Sequence, residues 1–130
     1  MTEALRRKAA IVGIGATAFS ANSGCSEQRL AAEAVLAALE DAGLGPDDVD
    51  GIVNSDFDAT NQIDVINTVG LRNIGSYAMI PHGGGSPCGT VAQAAMMVAS
   101  GASRCVVAYR SLNERSGHRY GSSEAIPTFP

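Results

Sequence analysis

A glycine turn that leads into a cysteine is the feature of this sequence best suited to chemistry. It lies in the stretch IPHGGGSPCGTVAQAAMMVASG, which runs from Ile80 to Gly101. Ser86 is a preferred helix N-cap and Pro87 a preferred first helical residue, so a helix is predicted to begin at Ser86. Cys88 then falls in the first turn, where unpaired backbone N–H groups and the helix dipole favour a thiolate nucleophile.

The glycines before this helix could hold a substrate. Gly83–Gly85 let a ligand approach the backbone closely, and their free amides could bind an oxyanion or a phosphate. The alternative is that Cys88 is a small apolar filler, as free cysteines often are. No base that would activate it is evident, because His82 and His118 stand alone in the sequence and a lone histidine is more often structural or solvated.

The residues after the turn predict a central buried helix, since they are apolar on nearly all sides. They are Val91, Ala92, Ala94, Ala95, Met96, Val98 and Ala99.

A second glycine motif, GIGATA from Gly13 to Ala18, spells a dinucleotide-binding fingerprint. Such a site needs a helix to begin at once, so that its N-terminal amides meet the pyrophosphate. Here Phe19–Gly24 looks like a loop, and the acidic residues Glu33 and Glu40 fall inside a predicted helix. A glycine-permitted turn at a strand end is therefore favoured over a nicotinamide site.

Alternating strands and helices position these motifs. The pattern predicts a parallel, layered α/β sheet in the order β-α-β-α-β-α-β, followed by a polar loop or tail over residues 110–130. The predicted strands are Lys8–Ile14, Gly51–Asn54, Ser76–Ile80 and Arg104–Tyr109. The predicted helices are Arg29–Ala42, capped by Ser26 and ended by Gly43; Thr60–Val69, with Ile63, Ile66 and Val69 inward; and the helix from Ser86.

Composition limits the function classes. The chain has 130 residues, a formal net charge of -4 and no block of Lys or Arg, so nucleic acid is not an expected partner. No apolar stretch predicts a membrane span. Cys25, Cys88 and Cys105 are widely separated and form no CxxC, which argues against zinc or disulfides and for reduced thiols in the cytoplasm. Cys105 lies in an apolar run and is predicted to be a core residue.

Both ends of the sequence allow alternatives. The start RRKAAIVGIGATA imitates a secretory signal, but its apolar run is short and is interrupted by Gly13 and Gly15. The end SSEAIPTFP has no terminating element. A truncated chain is therefore expected, in preference to a small complete domain with a flexible tail.

Four segments together resemble the N-terminal part of the thiolase superfamily. They are AAIVGIGATAFS, AAEAVLAALEDAGLGPDDVDGIV, the glycine turn with its small-residue helix, and SRCVVAYRSLNERSG. The likeness is strongest to the thiolase-like lipid-transfer branch, which includes aldolases of sterol side-chain breakdown, and Tyr109–Gly117 is its most specific piece. It implies that residues 1–130 form part of an N-terminal domain with a layered α-β-α fold, covering only the first half of that domain.

The resemblance also locates the family's nucleophile. True thiolases carry a cysteine at the start of this helix and transfer acyl groups from CoA thioesters. Counting back from Gly101 puts that position on Gly84, and matching the C-x-x-G pattern on Gly89 puts it on Ser86. Neither places it on Cys88. Acyl transfer by the thiolase route is thus not expected, which fits aldolase members that cleave carbon–carbon bonds without the cysteine.

The resemblance further implies a substrate site and partners. An acyl-CoA thioester would be the substrate, with no other cofactor and no metal, and backbone amides at the glycine turn would stabilise an enolate or oxyanion. The loop Arg110–Arg115 either borders the site or is a solvated connection. The implied substrate-binding residues are His82, Gly83, Gly84, Gly85, Ser86, Asn113 and Glu114.

The implied partners are a second copy, joined around the strand Ser76–Ile80, and a protein with an OB-fold and a zinc ribbon. Two other functions stay open at this point. One is a non-catalytic subunit that uses the fold to dimerise or to dock a partner, and the weaker one is a nicotinamide-dinucleotide-binding module.

Overall fold

The computed structural model describes residues 6–81 and 83–114, which form a small parallel α/β unit. The strands pair in the order β2-β1-β3, with Gly51 of β1 aligned with Ser76 and with Val106. The α/β prediction is confirmed. The elements of the described residues are α1 (Glu27–Ala42), β1 (Gly51–Ser55), α2 (Gln62–Val69), β2 (Ser76–Ile80), α3 (Ser86–Ser100) and β3 (Val106–Ala108).

The predicted first strand, Lys8–Ile14, is wrong. This segment belongs to no strand of the described sheet, and the Ile11 and Ile14 side chains are 74% and 76% exposed. It lies against α1 instead. The contact is so close that a Cβ on Gly13 or Gly15 would come within 2.2 Å of a carbonyl oxygen of that helix. An apolar run does not reveal whether a neighbouring strand is there to pair with it. The observed order of elements therefore begins with α1.

Helix α1 matches its prediction closely. Ser26 is the N-cap and accepts a hydrogen bond from the Arg29 N–H, while Gly43 ends the helix in the left-handed conformation at φ 67°. Its inward face packs on α2 and on the all-buried strand β1. The core of buried apolar residues comprises Ala31, Ala32, Val35, Leu39, Val49, Ile52, Val65, Val69, Leu71 and Tyr109.

Helix α2 is shorter than predicted and is rotated relative to the prediction. Asn61 caps it and Gly70 ends it. Val65 and Val69, one turn apart, form the buried face, whereas Ile63 is exposed. The inward assignment of Ile63 is wrong, since residues two positions apart on a helix point in different directions.

Helix α3 begins at Ser86, as predicted, but its N-cap is Gly85 and the prediction of Ser86 as the cap is wrong. The expectation of a buried central helix is also wrong in the described residues. Val91 and Met96 are exposed, because the described sheet covers only one face of the helix. When a helix is apolar on all sides, its sequence does not show which face is buried, so contact with the sheet decides it.

Candidate functional site

The carboxyl ends of the three described strands meet at one edge of the sheet. Residues 56–61 follow β1, residues 81–85 follow β2 and residues 109–114 follow β3. Open α/β sheets bind their ligands at this edge. The predicted glycine turn and the predicted loop after β3 are thus brought to the same edge, together with the polar loop after β1, which the sequence analysis did not single out.

The glycine turn leaves its backbone open. Gly83–Gly85 form one 3-10 turn that runs into α3. Gly83 has a φ of 59°, which favours glycine. Gly84 and Gly85 are exposed, and a Cβ on either would meet no atom within 4 Å. A ligand therefore has room to approach this backbone; His82 lies outside the described residues, so its role stays a prediction.

Ser86 faces the interior. Its Oγ lies 2.6 Å from the Oγ of Ser55 at the end of β1, and the side chain is buried. The Phe57 N–H donates to the same Ser55 Oγ. Of the two positions predicted for the nucleophile, Gly84 is accessible and Ser86 is not. Cys88 is exposed in the first turn of α3, two residues beyond Ser86.

A buried carboxylate joins the ends of β1 and β3. The side chain of Asp58 has no solvent exposure. Its Oδ2 accepts from the Ser55 N–H at 3.0 Å and its Oδ1 accepts from the Ser111 N–H at 3.1 Å. The Arg110 Nε lies 3.8 Å from Oδ1. Burial raises the pKa of Asp58, while these two N–H groups, the Arg110 guanidinium and the Asn54 amide oppose the rise.

This raised pKa predicts a pH dependence. Protonation of Asp58 is easier in the folded state than in the unfolded state, so the wild type is compared with Asp58→Asn, whose side chain does not titrate. The stability of the wild type relative to that variant is expected to be highest below about pH 3.9 and to decrease as pH rises through the higher folded-state pKa, while the part due to the two backbone hydrogen bonds remains. Urea unfolding of both proteins across this range measures it. An advantage that grows with pH contradicts the assignment.

Three hydrogen bonds from two side chains hold the loop after β1 in place. Gln62 Nε2 donates to Asn54 Oδ1 at 2.7 Å and to the Ala78 carbonyl at 2.6 Å, which links β1, α2 and β2. Thr60 Oγ1 donates to the Tyr109 hydroxyl at 3.3 Å. Burial raises the pKa of Tyr109, and the hydrogen bond from Thr60 opposes this. Asn54, Thr60 and Gln62 lie in a run, NSDFDATNQ, that begins with the last two residues of the buried strand β1, and that signal could have identified them.

The loop after β3 packs on the start of α1. Asn113 Nδ2 donates to the Cys25 carbonyl at 2.8 Å, and its Oδ1 accepts from Ser23 Oγ at 2.9 Å. An open groove of about 370 Å³ lies here, lined by Asn22, Gly24, Cys25, Ser26 and Asn113. Asn113 therefore borders a groove beside the start of α1, whereas Glu114 is exposed. Arg115 and the rest of the predicted tail, including His118, lie outside the described residues.

The other predicted features have the following positions. Cys105 packs against the core and is half-buried; burial, then Asp50 and Asp48, raise the pKa of its thiol. After the GIGATA motif the next helix is α1, which begins only at Glu27. Within residues 6–81 and 83–114, no three His, Cys, Asp or Glu side chains form a group that could hold a metal ion. No helix in that part is long and apolar enough to cross a bilayer.

The fold defines a parallel α/β unit that resembles the solved structures of a β-ketosynthase and an aldolase. A priming β-ketosynthase from the R1128 polyketide pathway superimposes with a TM-score of 0.57, 25% identity and coverage of 75% of this chain and 32% of that chain. The Ltp2-ChsH2(DUF35) aldolase superimposes with a TM-score of 0.81, 51% identity and coverage of 88% and 30%. No family model matches the sequence.

Two sequence relatives are named as steroid enzymes. A steroid side-chain-cleaving aldolase of Thermomonospora curvata is 55% identical over 117 residues, and a 17-hydroxy-3-oxo-4-pregnene-20-carboxyl-CoA lyase of Mycobacterium tuberculosis is 56% identical over 117 residues. Each match covers 90% of this chain, and the chain spans 30% of each relative's length. The predicted likeness to sterol side-chain aldolases is thus confirmed.

Proposed function

We propose that this chain is the N-terminal portion of a thiolase-like protein that cleaves a carbon–carbon bond in the side chain of a steroid CoA thioester. The observation that carries the proposal is the identity of 55% and 56%, over 90% of the chain, to a steroid side-chain-cleaving aldolase and a pregnene-carboxyl-CoA lyase. The activity belongs to the intact protein, because the chain spans 30% of those relatives.

The reaction would be a retro-aldol cleavage. A base removes the proton of a β-hydroxyl group, the carbinol carbon becomes a carbonyl, and its bond to the carbon next to the thioester breaks. The bonding electrons pass to the thioester, giving an enolate that takes a proton at carbon. The open amides at Gly83–Gly85 and the first turn of α3 would stabilise the enolate oxygen. This chemistry needs no thiol at Gly84 or Ser86.

The test is a cleavage assay on the intact protein with 17-hydroxy-3-oxo-4-pregnene-20-carboxyl-CoA. Mass spectrometry is expected to show a steroid ketone and a shorter acyl-CoA, formed at a rate independent of added free CoA. A reaction that requires free CoA as acceptor would instead be acyl transfer and would overturn the proposal. Reading the DNA beyond codon 130 tests the fragment assignment, which requires the frame to continue into a second α/β half.

A partner protein forms part of this proposal. One structural relative is the Ltp2-ChsH2(DUF35) aldolase, whose name joins Ltp2 to a DUF35 protein, ChsH2. We expect the intact protein to pair in the cytoplasm with a subunit that carries an OB-fold and a zinc ribbon. Co-expression with such a subunit should yield a complex that co-elutes in gel filtration, and cleavage by the complex is expected to exceed cleavage by the isolated protein.

A second candidate function is that of a thiolase-fold subunit that dimerises without catalysing a reaction. The outer strand β2 favours it. In the described residues β2 pairs with β1 on one side only, and its Tyr77 and Met79 side chains are 75% and 54% exposed. An unpaired edge strand with apolar side chains is a template for pairing with another chain. A second copy, joined through β2, would cover both side chains in either candidate function.

A charged substitution in the outer strand β2 is expected to dissociate the proposed dimer. Tyr77→Lys puts a charge into the proposed contact, so analytical ultracentrifugation should show a shift towards monomer. Leu36→Lys is the matched control, because Leu36 is an exposed apolar residue of α1 outside this edge. If Tyr77→Lys leaves the oligomeric state unchanged, β2 is not the dimer contact. A dimer that cleaves no thioester with its partner present would favour the non-catalytic function.

The nicotinamide module is not proposed. Gly13 and Gly15, the first glycines of its motif, pack against the backbone of α1 and open no helix. Close packing against that helix is sufficient to explain why both positions are glycine.

A further inference from the structure

Two aspartates join strands β1 and β3, one at the amino ends of the strands and one at their carboxyl ends. At the amino edge, Asp50 accepts hydrogen bonds from the backbone N–H groups of Arg104 and Cys105, each at 2.9 Å. At the carboxyl edge, Asp58 accepts from Ser55 and Ser111. The second aspartate therefore fixes the point at which the chain leaves β3 and enters the candidate site.

Asp58 is held more completely than a surface carboxylate. Both of its oxygens accept from backbone N–H groups and its side chain is fully buried. The Asn54 side chain also favours the charged form of this carboxyl, since it lowers the pKa of Asp58. Hydrogen bonds to a charged acceptor are stronger than those between neutral groups, so the carboxylate gives this junction a defined position.

The segment that starts at this junction reaches the groove. Ser111 Oγ donates to the Glu27 carbonyl at 2.6 Å, in the first turn of α1. Two residues on, Asn113 bonds to the Cys25 carbonyl and lines the groove beside Cys25. Hydrogen bonds thus connect Asp58 through Ser111 to Glu27 in the first turn of α1. Asn113, two residues further along the chain, makes its own hydrogen bond to Cys25, just before that helix.

We propose that Asp58 is a positioning residue that holds the segment Arg110–Glu114 against the start of α1 and thereby sets Asn113 over the groove beside Cys25. The anchoring rests on the contacts alone. Its consequence for substrate rests on the proposed function, in which Asn113 contacts the acyl-CoA.

The first test follows the alkylation of Cys25 by iodoacetamide, read residue by residue by mass spectrometry with exposed Cys88 as the internal reference. Asp58→Asn cannot accept from both N–H groups, so one hydrogen bond is lost and the segment opens more often. The Cys25 rate is expected to rise about tenfold, since losing a hydrogen bond to a charged group changes an opening equilibrium by a decade or more. Asp56→Asn, the same change at an exposed neighbour, should leave it unchanged.

A double mutant separates positioning from general loosening. Asn113→Ala should raise the Cys25 rate by itself, and adding Asp58→Asn should raise it no further, because both act through the same contact. Fully additive effects, or an unchanged rate in a folded Asp58→Asn protein, overturn the proposal. If that variant does not fold, amide exchange of the wild type decides: the Ser111 amide must be protected, and rapid exchange there overturns the proposal.

The link to function has its own readout. In the intact protein, Asp58→Asn is expected to raise KM for the acyl-CoA more than it lowers kcat, because it displaces a binding contact and leaves the glycine turn in place. If the Cys25 rate rises and KM does not, Asp58 positions the segment but Asn113 does not contribute to substrate binding. If no form of the protein cleaves a thioester, the proposed function is wrong, and the alkylation result still tests whether Asp58 positions the segment.

Discussion

Gly85→Ala is expected to reduce acyl-CoA cleavage by the intact protein about 10²-fold, because a displacement of the substrate by about 1 Å has an effect of that size. Gly85 has φ -82° and ψ -17°, which alanine adopts without strain, and a Cβ there meets no protein atom within 4 Å. The added methyl group would therefore project into the space that the substrate is proposed to occupy. Steady-state kinetics measures the loss.

Two comparisons make this prediction specific. The free energy of unfolding should change by less than about 0.5 kcal/mol, as for substitutions that touch nothing. Gly45→Ala is the matched control, since Gly45 lies in the turn after α1 and a Cβ there is in ordinary contact, 3.8 Å from Asp48 Oδ2. Full activity in Gly85→Ala, or an equal loss in Gly45→Ala, would show that the turn is not in contact with the substrate.

Ile52→Ala is expected to have the largest effect on stability, about 2–5 kcal/mol in the free energy of unfolding. Ile52 is fully buried in the central strand β1, between β2 and β3, so its truncation leaves a cavity that neighbouring strands cannot fill. Denaturant unfolding followed by circular dichroism measures the change. A loss below about 1 kcal/mol would mean that the site collapses on truncation or that β1 is not central.

Ile11→Ala provides the control, because it makes the same truncation in the other apolar run. Ile11 is largely exposed, so its loss should cost less than about 0.5 kcal/mol. A large cost at Ile11 would mean that the segment around it is covered, for instance by pairing with another chain. The two isoleucines have similar sequence neighbours, KAAIVGI and DGIVN, and the structure gives them opposite environments.

The elements that could be predicted from sequence are those with local signals. Ser26 and Gly43 bound α1 because a cap and a left-handed glycine act within one turn of the chain. Strand β2 has the predicted bounds, and α3 begins at the predicted residue. The glycine turn was likewise evident, since consecutive glycines before Ser-Pro leave few other conformations and no side chains to block the backbone.

The polar contacts of the site could not be predicted in this way. Ser55 and Ser86 are 31 positions apart, and Asp58 and Ser111 are 53 apart, yet each pair is hydrogen-bonded. Nothing local distinguishes Asp58 from Asp56, which is exposed. Only the pairing of β1 with β3 brings Ser111 to Asp58. The pairing of β1 with β2, which α3 follows in the chain, brings Ser86 to Ser55.

By itself, the sequence determined the α/β class, the caps of α1, the first residue of α3 and the presence of an open glycine turn, because backbone propensities and capping act over a few residues. The tertiary structure alone decided that the segment 8–14 lies on α1 outside the described sheet, that α3 buries one face, and that a buried carboxylate ties the site together. Those outcomes depend on which surfaces meet in space, and the free energy of burial is set by that meeting rather than by the order of residues along the chain.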